Sequence, residues 1–268
     1  MIKLSIITIN YNNLSGLRLT MDSVLKQTYT NIEYIVIDGD STDGSKDLIR
    51  EYSDKLSYWV SEKDGGIYNA MNKGVSKAKG EYCLFLNSDD YLVHERVLEQ
   101  LFKLNFTEDI VYGDMYMEDS MNTKTLSVQP QKLTFEHFIS STLWHPASFI
   151  KTALFFKYGF YNEQLKIVSD YEFFLKTIIV NQVSYKHVDM AISVYKVVGM
   201  SSKKENEELH LLERKKVQEM YFPISVIETA KKLEALNGSK VIKVYSWLQK
   251  HPGILKVISR FSSIFGKR

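Results

Sequence analysis

Asn87-Ser88-Asp89-Asp90 follows directly on the apolar run Tyr82-Cys83-Leu84-Phe85-Leu86. A buried strand that ends in adjacent carboxylates carries them to the carboxyl edge of a sheet, where open α/β folds bind their ligands. With no Lys or Arg immediately beside them, such acids repel one another unless a cation or a cationic substrate joins them. Hard divalent ions such as Mg2+ or Mn2+ prefer oxygen ligands and bridge protein carboxylate to substrate phosphate. The plain alternative is a solvated, Asp-rich turn.

Two earlier strands end in similar clusters. The β-branched run 4–9 closes in Asn10-Tyr11-Asn12-Asn13, and Tyr34-Ile35-Val36-Ile37 closes in Asp38-Gly39-Asp40-Ser41-Thr42-Asp43-Gly44. Together the three clusters would line one edge of one sheet. No GxGxxG and no GxxxxGK[ST] occurs, so neither a dinucleotide fingerprint nor a P-loop is present. Asp38-Gly39-Asp40 opens like an EF-hand loop, but Asp43 stands where that loop needs glycine.

The elements that must hold these clusters alternate. Helical spacing through Leu17, Leu19, Met21, Val24 and Leu25 follows the first strand, and helices are expected at 45–52 and 67–79. Strands are expected at 56–60 and 81–86. The alternation predicts an α/β fold with a mainly parallel central sheet flanked by helices. Beyond Tyr91 the pattern predicts a helix at 97–104, a strand at 110–112, a hairpin or loop over 114–131, and a loop entering a strand over 144–150. Ser169 or Asp170 can cap a helix that starts there. Strand-like residues recur over 183–198, and from Lys203 the chain reads as a helical extension.

A chain of 268 residues, 44% apolar and 25% charged, suits one large α/β domain or a domain with a helical appendage. A net charge of +2 gives no footing for nucleic-acid binding. Cys83 is the sole cysteine, so there is no intrachain disulfide and no cysteine-based zinc site, which favours a reducing compartment. Met1-Ile2-Lys3 leads straight into strand, and no apolar stretch approaches the roughly 18–20 residues of a membrane span. A cytoplasmic protein is expected.

Several stretches, taken in order, resemble glycosyltransferase family 2, whose members share the GT-A fold. They are Ser5-Ile6-Ile7-Thr8-Ile9-Asn10-Tyr11-Asn12, then 37–44, 61–74, Gly80-Glu81-Tyr82 and Leu86-Asn87-Ser88-Asp89-Asp90. The likeness covers about residues 3–200 and is specific as a set. It divides the chain into a glycosyltransferase domain over 1–202 and a helical extension over 203–268. Within the domain, 1–95 would be the nucleotide-binding half and 96–202 the acceptor-side half. The 64–74 stretch resembles the branch acting in bacterial capsule, exopolysaccharide and O-antigen assembly.

The resemblance implies that Thr8, Asn10, Tyr11 and Asp38 hold the base and ribose of a nucleotide-sugar donor, UDP being the family's commonest carrier. Asp38 could accept a hydrogen bond from a uracil imide N–H; its alternative is to cap the helix after it. Asp64 and Asn72 resemble a second nucleotide-side pair, and Gly65-Gly66 would let backbone N–H groups approach a ligand. Asn87-Ser88-Asp89 fills the family's Asp-x-Asp position with Asn for the first acid. Asp89 would then bind Mn2+ or Mg2+, with Asp90 as helper, and Asn87 and Ser88 would face the donor. Asp170 matches the acid expected to deprotonate an acceptor hydroxyl in an inverting transfer. Ser169 stands where that motif usually has glutamate, and Glu172 is the competing base. Trp144 and His145 would belong to the acceptor-side loop, or His145 would be a satisfied buried histidine. Lys196 and Gly199-Met200-Ser201-Ser202 would close over the donor diphosphate. The Gln-x-x-Arg-Trp signature of processive synthases is absent, so one sugar per encounter is expected.

After Glu234 there is no acid, while Lys240, Lys243, Lys250, Lys256, Arg260, Lys267 and Arg268 are basic. On a helix Ile254, Leu255, Val257, Ile258, Phe261, Ile264 and Phe265 would share one broad face. Such a segment suits the anionic cytoplasmic face of an inner membrane and an acceptor carried on a polyprenyl diphosphate. The alternative is packing on the domain or on a second subunit. Two other functions stay open at this point. A nucleotidyltransferase would want a Gly-rich, basic loop after the first strand, which Asn10-Tyr11-Asn12-Asn13 is not. A non-catalytic sugar- or nucleotide-binding module gives no reason for Asp89 and Asp170 together.

Overall fold

The computed structural model of the chain describes residues 3–197 and 206–238. In β1 (Leu4–Asn10) and β2 (Ile32–Asp38) the β-branched side chains are buried on both faces. Ile7 and Ile9 enter one core with Met71 and Val75 of α3 (Ile67–Lys77). Leu4 and Ile6 enter the other, with Leu17 and Met21 of α1 (Leu14–Leu25) and Leu48 of α2 (Ser45–Glu51). A strand covered on both sides needs a continuous apolar sequence, which these runs have.

Among the described residues nine strands form one curled sheet. The others are β3 (Tyr58–Ser61), β4 (Tyr82–Phe85), β5 (Tyr91–Leu92), β6 (Ile110–Glu118), β7 (Lys124–Ser127), β8 (Ser148–Lys151) and β9 (Tyr185–Lys196). Their order is β3-β2-β1-β4-β8-β6-β9-β5, with β7 added to β6. The first four strands are mutually parallel, and β6 pairs parallel with β9 over its length. Strand β8 runs antiparallel to both β4 and β6, and β5 antiparallel to β9. The order therefore reverses between β1 and β4, the kind of switch point where an open sheet leaves a crevice at its carboxyl edge.

The polar stretch after β6 is a hairpin: β6 runs on to Glu118, and Asp119 Oδ1 accepts from the Met121 and Thr123 N–H groups to turn the chain into β7. Helix α4 (Val97–Phe102) covers the sheet beside α1. On the opposite face lie α5 (Phe135–Ser140), α6 (Thr152–Tyr158) and α7 (Ser169–Phe174).

Helix α8 (Glu207–Tyr221) is keyed into the domain. Val217 is fully buried in the same core as Phe173 and Phe174. Arg214 lies 3.9 Å from the Tyr171 ring centroid and donates to the carbonyls of Phe138, Ile139 and Ser141, the open C-terminal end of α5. Glu213 accepts from the Lys166 and Ile167 N–H groups at 2.8 and 3.0 Å. In α9 (Ile224–Gly238), Ile227 and Ala230 pack on Ile139. So the part of the expected extension that is described packs on α5, α7 and the loop before α7. The basic amphipathic stretch after 238 and the loop 199–202 lie outside the described residues. No helix among the described residues is long and apolar enough to cross a membrane.

Arg214→Ala leaves three inward-facing carbonyls without their charged donor, a loss of about 2–3 kcal/mol. Thermal unfolding should show the midpoint lowered by roughly 5–10 °C, whereas an unchanged midpoint would mean that α8 is only loosely attached.

Candidate active site

The register sets Asn10 beside Asp38 and Asp38 beside Ser61, so the polar ends of β1, β2 and β3 stand abreast. Ser88 N–H donates to the Ile9 carbonyl, which brings the loop after β4 into the same row. Above this edge opens a cleft of about 790 Å³. Three of its loops carry non-glycine residues at positive φ: Asn12 at 47°, Asp40 at 65° and Asp89 at 89°. Such backbone costs of order 1–3 kcal/mol per residue and persists only where surrounding contacts hold it.

Asp89 is held in this way. Asn13, the N-cap of α1, accepts from Gly16 N–H and donates through Nδ2 to Asp89 Oδ2 at 2.6 Å, and the Asp89 N–H donates to Thr20 Oγ1. The other oxygen faces Lys196 Nζ at 3.7 Å, across the cleft at the end of β9. A β-carbon on Gly16 would lie 2.3 Å from Asn13 Nδ2 and 2.6 Å from Asp89 Cγ, so only glycine lets α1 approach so closely.

Asp170 reaches the cleft from the first turn of α7. The helix starts after Val168 with no side-chain cap, so neither Ser169 nor Asp170 is used as one; Ser169 Oγ instead accepts from Asn162 N–H. The two oxygens of Asp170 have separate partners. Tyr68 Oη lies 3.0 Å from Oδ1 and 2.6 Å from the Ile167 carbonyl, and His145 Nδ1 lies 3.2 Å from Oδ2. Burial alone would raise this carboxyl, but the hydrogen bond and charge of His145, the Tyr171 N–H and Tyr68 outweigh it and hold its pKa below the ordinary value. For His145 burial acts downward, yet Asp170, together with the charge of Asp90, leaves its pKa raised. The competing acid, Glu172, turns the other way and accepts from Tyr221 Oη at 2.8 Å.

Of the residues singled out in the sequence, Asn10, Tyr11, Asp64, Asn87, Ser88, Asp89, Asp90, His145, Asp170 and Lys196 line this cleft. Tyr11 is 69% exposed, an open ring at its rim. Asp90 meets the cleft only by its edge: burial pushes its pKa up to about 7, and its Oδ2 accepts from Asn87 N–H. Its carboxyl is turned back on its own loop, beside Asp89 in the cleft lining.

Four expected contacts are placed elsewhere. Thr8 is fully buried and shares a hydrogen bond with Tyr34 Oη, on the α1 side of the sheet. Asp38 is also fully buried, and its oxygens accept from Asn10 Nδ2, Ser41 N–H, Ser41 Oγ and Ser61 Oγ. With four donors it has no room for a base, and it caps no helix: α2 begins after Gly44. Its work is to brace the turn that presents Gly39 and Asp40. Asn72 exchanges hydrogen bonds with the Tyr161 backbone and donates to Glu163, fixing the loop before α7. Trp144 packs against the α1-side core, while its carbonyl accepts from Ser148 Oγ. The Gly65 and Gly66 N–H groups are likewise taken, by Asn69 and Asp64 side chains, so they are not free for a ligand.

The cleft has further members that the residue-by-residue reading missed: Asn13, Gly39, Asp40, Lys63, Tyr68, Lys166 and Tyr195. Gly39 had a signal, a glycine between two acids at a strand end. A β-carbon there would sit 2.8 Å from Asp64 Oδ2 and 3.2 Å from the Tyr11 ring, so its absence makes the slot between them. Lys166 arrives from a loop more than seventy residues beyond the last of the strand-end clusters, and its neighbours in sequence give no sign of it.

A doubly covered sheet with a switch-point cleft lined by acids is the architecture of nucleotide-binding α/β proteins. The comparisons narrow this. The chain belongs to glycosyltransferase family 2, whose model ("Glycosyl transferase family 2") matches residues 5–164. It is 34% identical over 194 residues to an uncharacterized glycosyltransferase of Rickettsia typhi, covering 68% of this chain and 61% of that one. The chain thus spans about three fifths of the length of the first curated relatives it matches. Among solved structures it resembles residues 1–349 of TarS from S. aureus in complex with UDP-GlcNAc. The TM-score is 0.60 at 22% identity, over 78% of this chain and 60% of that one. It also resembles the mannosyltransferase PcManGT from Pyrobaculum calidifontis, in complex with GDP-Man and Mn2+. There the TM-score is 0.58 at 14% identity, over 99% and 88% of the two chains. These likenesses establish the GT-A fold.

Gly16→Ala is expected to displace the Asn13–Asp89 contact while leaving the sheet intact. Thermal unfolding should then show the midpoint lowered by roughly 2–4 °C, with far-UV circular dichroism unchanged; a wild-type midpoint would show that Asp89 is not held from behind in this way.

Proposed function

We propose that the protein moves one sugar, with inversion, from a nucleotide-sugar donor to a hydroxyl of a saccharide or lipid-linked saccharide. UDP is the preferred carrier, and cell-surface polysaccharide assembly the setting. The observation that carries this reading is that Asp89 and Asp170, acids from opposite halves of the chain, face one cleft with different partners. The ring of Tyr11 beside the Gly39 gap suits a stacked base. Lys196 suits the diphosphate between base and sugar.

Mn2+ or Mg2+ fits the donors present in one way only. Among the described residues no three His, Cys, Asp or Glu side chains cluster as a metal cage. Asp89 turns Oδ1 to the cleft, 3.7 Å from Lys196 Nζ, while Asn13 holds Oδ2. Mg2+ and Mn2+ accept such sites, with substrate phosphate and water supplying the other ligands. A cation held there would draw off charge as the diphosphate leaves.

The chain's own residues do the rest. Asp170, ionised at neutral pH, takes the proton from the acceptor hydroxyl as that oxygen attacks the anomeric carbon. The new C–O bond forms as the bond to the diphosphate breaks on the opposite face. Tyr68 and the α8-latched loop 165–167 fix the direction of the carboxylate. Lys63 and Lys166 at the rim favour an anionic acceptor such as a lipid-linked diphosphate sugar. The basic segment after 238 would bring the protein to the membrane that carries it.

Two variants test the division of labour. With UDP-sugars of several kinds and Mn2+, Asp170→Asn should lower UDP release by at least about a hundredfold while Mn2+-dependent UDP binding persists. Asp89→Ala should lose the Mn2+-dependent part of that binding and leave the affinity measured in EDTA unchanged. Full turnover by the Asp170 variant, or equal loss of binding in EDTA by the Asp89 variant, would overturn the respective role.

A further inference from the structure

Asn87 stands where the family's first acid would be, and its side chain turns to His145. Its Nδ2 lies 3.2 Å from His145 Nε2, and its Oδ1 is buried with no hydrogen-bond partner. The other nitrogen of the same imidazole, Nδ1, lies 3.2 Å from Asp170 Oδ2. A chain of contacts therefore runs from the loop carrying Asp89, through one imidazole, to the acid across the cleft.

From this geometry we infer that His145 is a positioning residue. It anchors Asp170 through Nδ1–H, and the Asn87 amide accommodates Nε2 of the ring in either protonation state. This deepens, and rests on, the reading of Asp170 as base. An ionised carboxylate only accepts, so the contact to Asp170 requires a proton on Nδ1. With the Asn87 amide nitrogen against Nε2, that nitrogen must carry a lone pair, and the ring is the Nδ1–H tautomer. With the amide turned over, the orphaned Oδ1 accepts from Nε2–H of an imidazolium. In both states Nδ1–H points at Asp170. A carboxylate at 87 would allow only the charged ring, whereas an amide serves either.

The groups facing this imidazole from its surroundings are consistent with the assignment. Asp170 comes from α7 and Asp90 from the loop after β4, and Tyr68 of α3 holds the other oxygen of Asp170. The ring is fixed from its own side as well. Pro146 is the second residue of the short 3-10 turn 145–147, and the Trp144 carbonyl accepts from Ala147 N–H and Ser148 Oγ. These contacts and the packing of Trp144 fix the backbone from which His145 projects.

Two measurements on the full chain test this. The first needs no substrate: in 15N-histidine NMR spectra, the His145 signal, identified by its loss in His145→Asn, should show Nδ1 protonated. A neutral ring protonated at Nε2 overturns the inference. The second compares amide replacements during UDP release from UDP-N-acetylglucosamine with Mn2+. Asn at 145 places an N–H where Nδ1 was, and Gln places one where Nε2 was. His145→Asn should keep most of kcat, and His145→Gln should lose at least about tenfold in kcat with the donor KM unchanged. Equal losses, or the opposite order, overturn the inference. No turnover by the wild-type protein would count against the proposed donor and leave the NMR result to decide the role of His145.

Discussion

Carboxylates crowded at one sheet edge must each find a donor, and much of the architecture around the cleft follows from that requirement. Buried charge is costly unless paired, and like charges a few ångströms apart cannot all ionise. Asp38 takes four donors from β1, β3 and its own turn. Asp89 takes an N-cap amide and a distant lysine. Asp170 takes a tyrosine and an imidazole, and Asp90, the most buried of the cleft's acids, responds with a pKa near 7. These donors come from elements far apart in sequence, so satisfying the acids also ties those elements together.

One consequence is a link between the two halves of the chain. It starts within the first half, where Asn10 Nδ2 donates to Asp38 and Oδ1 accepts from Ser88 Oγ, so one amide joins the ends of β1 and β2 to the loop after β4. Asn87 and His145 carry the connection on to Asp170. The base side is braced in turn by α8, whose Glu213 holds the Lys166 and Ile167 N–H groups while Ile167 accepts from Tyr68. A helix outside the family match thus supports the residue on which the proposed chemistry turns.

Much of the donor half was legible in the sequence. Apolar runs covered on both faces, polar strand ends and glycines close to acids follow from local rules, and the strands and helices through Phe85 fall where their periodicity puts them. Contacts within the site were less legible. Asp38, Thr8 and Asn72 are types that suit a ligand, yet each is consumed by a protein partner 26 or more residues away. Lys166 and Tyr68 carry no local mark because what makes them part of the site is the loop packed opposite them. Asp170 was located, but not its setting: the helix begins at Ser169, so Asp170 caps nothing and its oxygens meet Tyr68 and His145 instead.

The sequence by itself determined the class of fold, the edge at which ligands would bind and the acids present there, because strand burial and side-chain chemistry are properties of short segments. Only the tertiary structure decided which acids face the cleft, since each candidate competes with every donor that folding brings near. The same holds for Asn87 and His145. They lie 58 residues apart, and nothing but the antiparallel entry of β8 beside β4 sets them edge to edge.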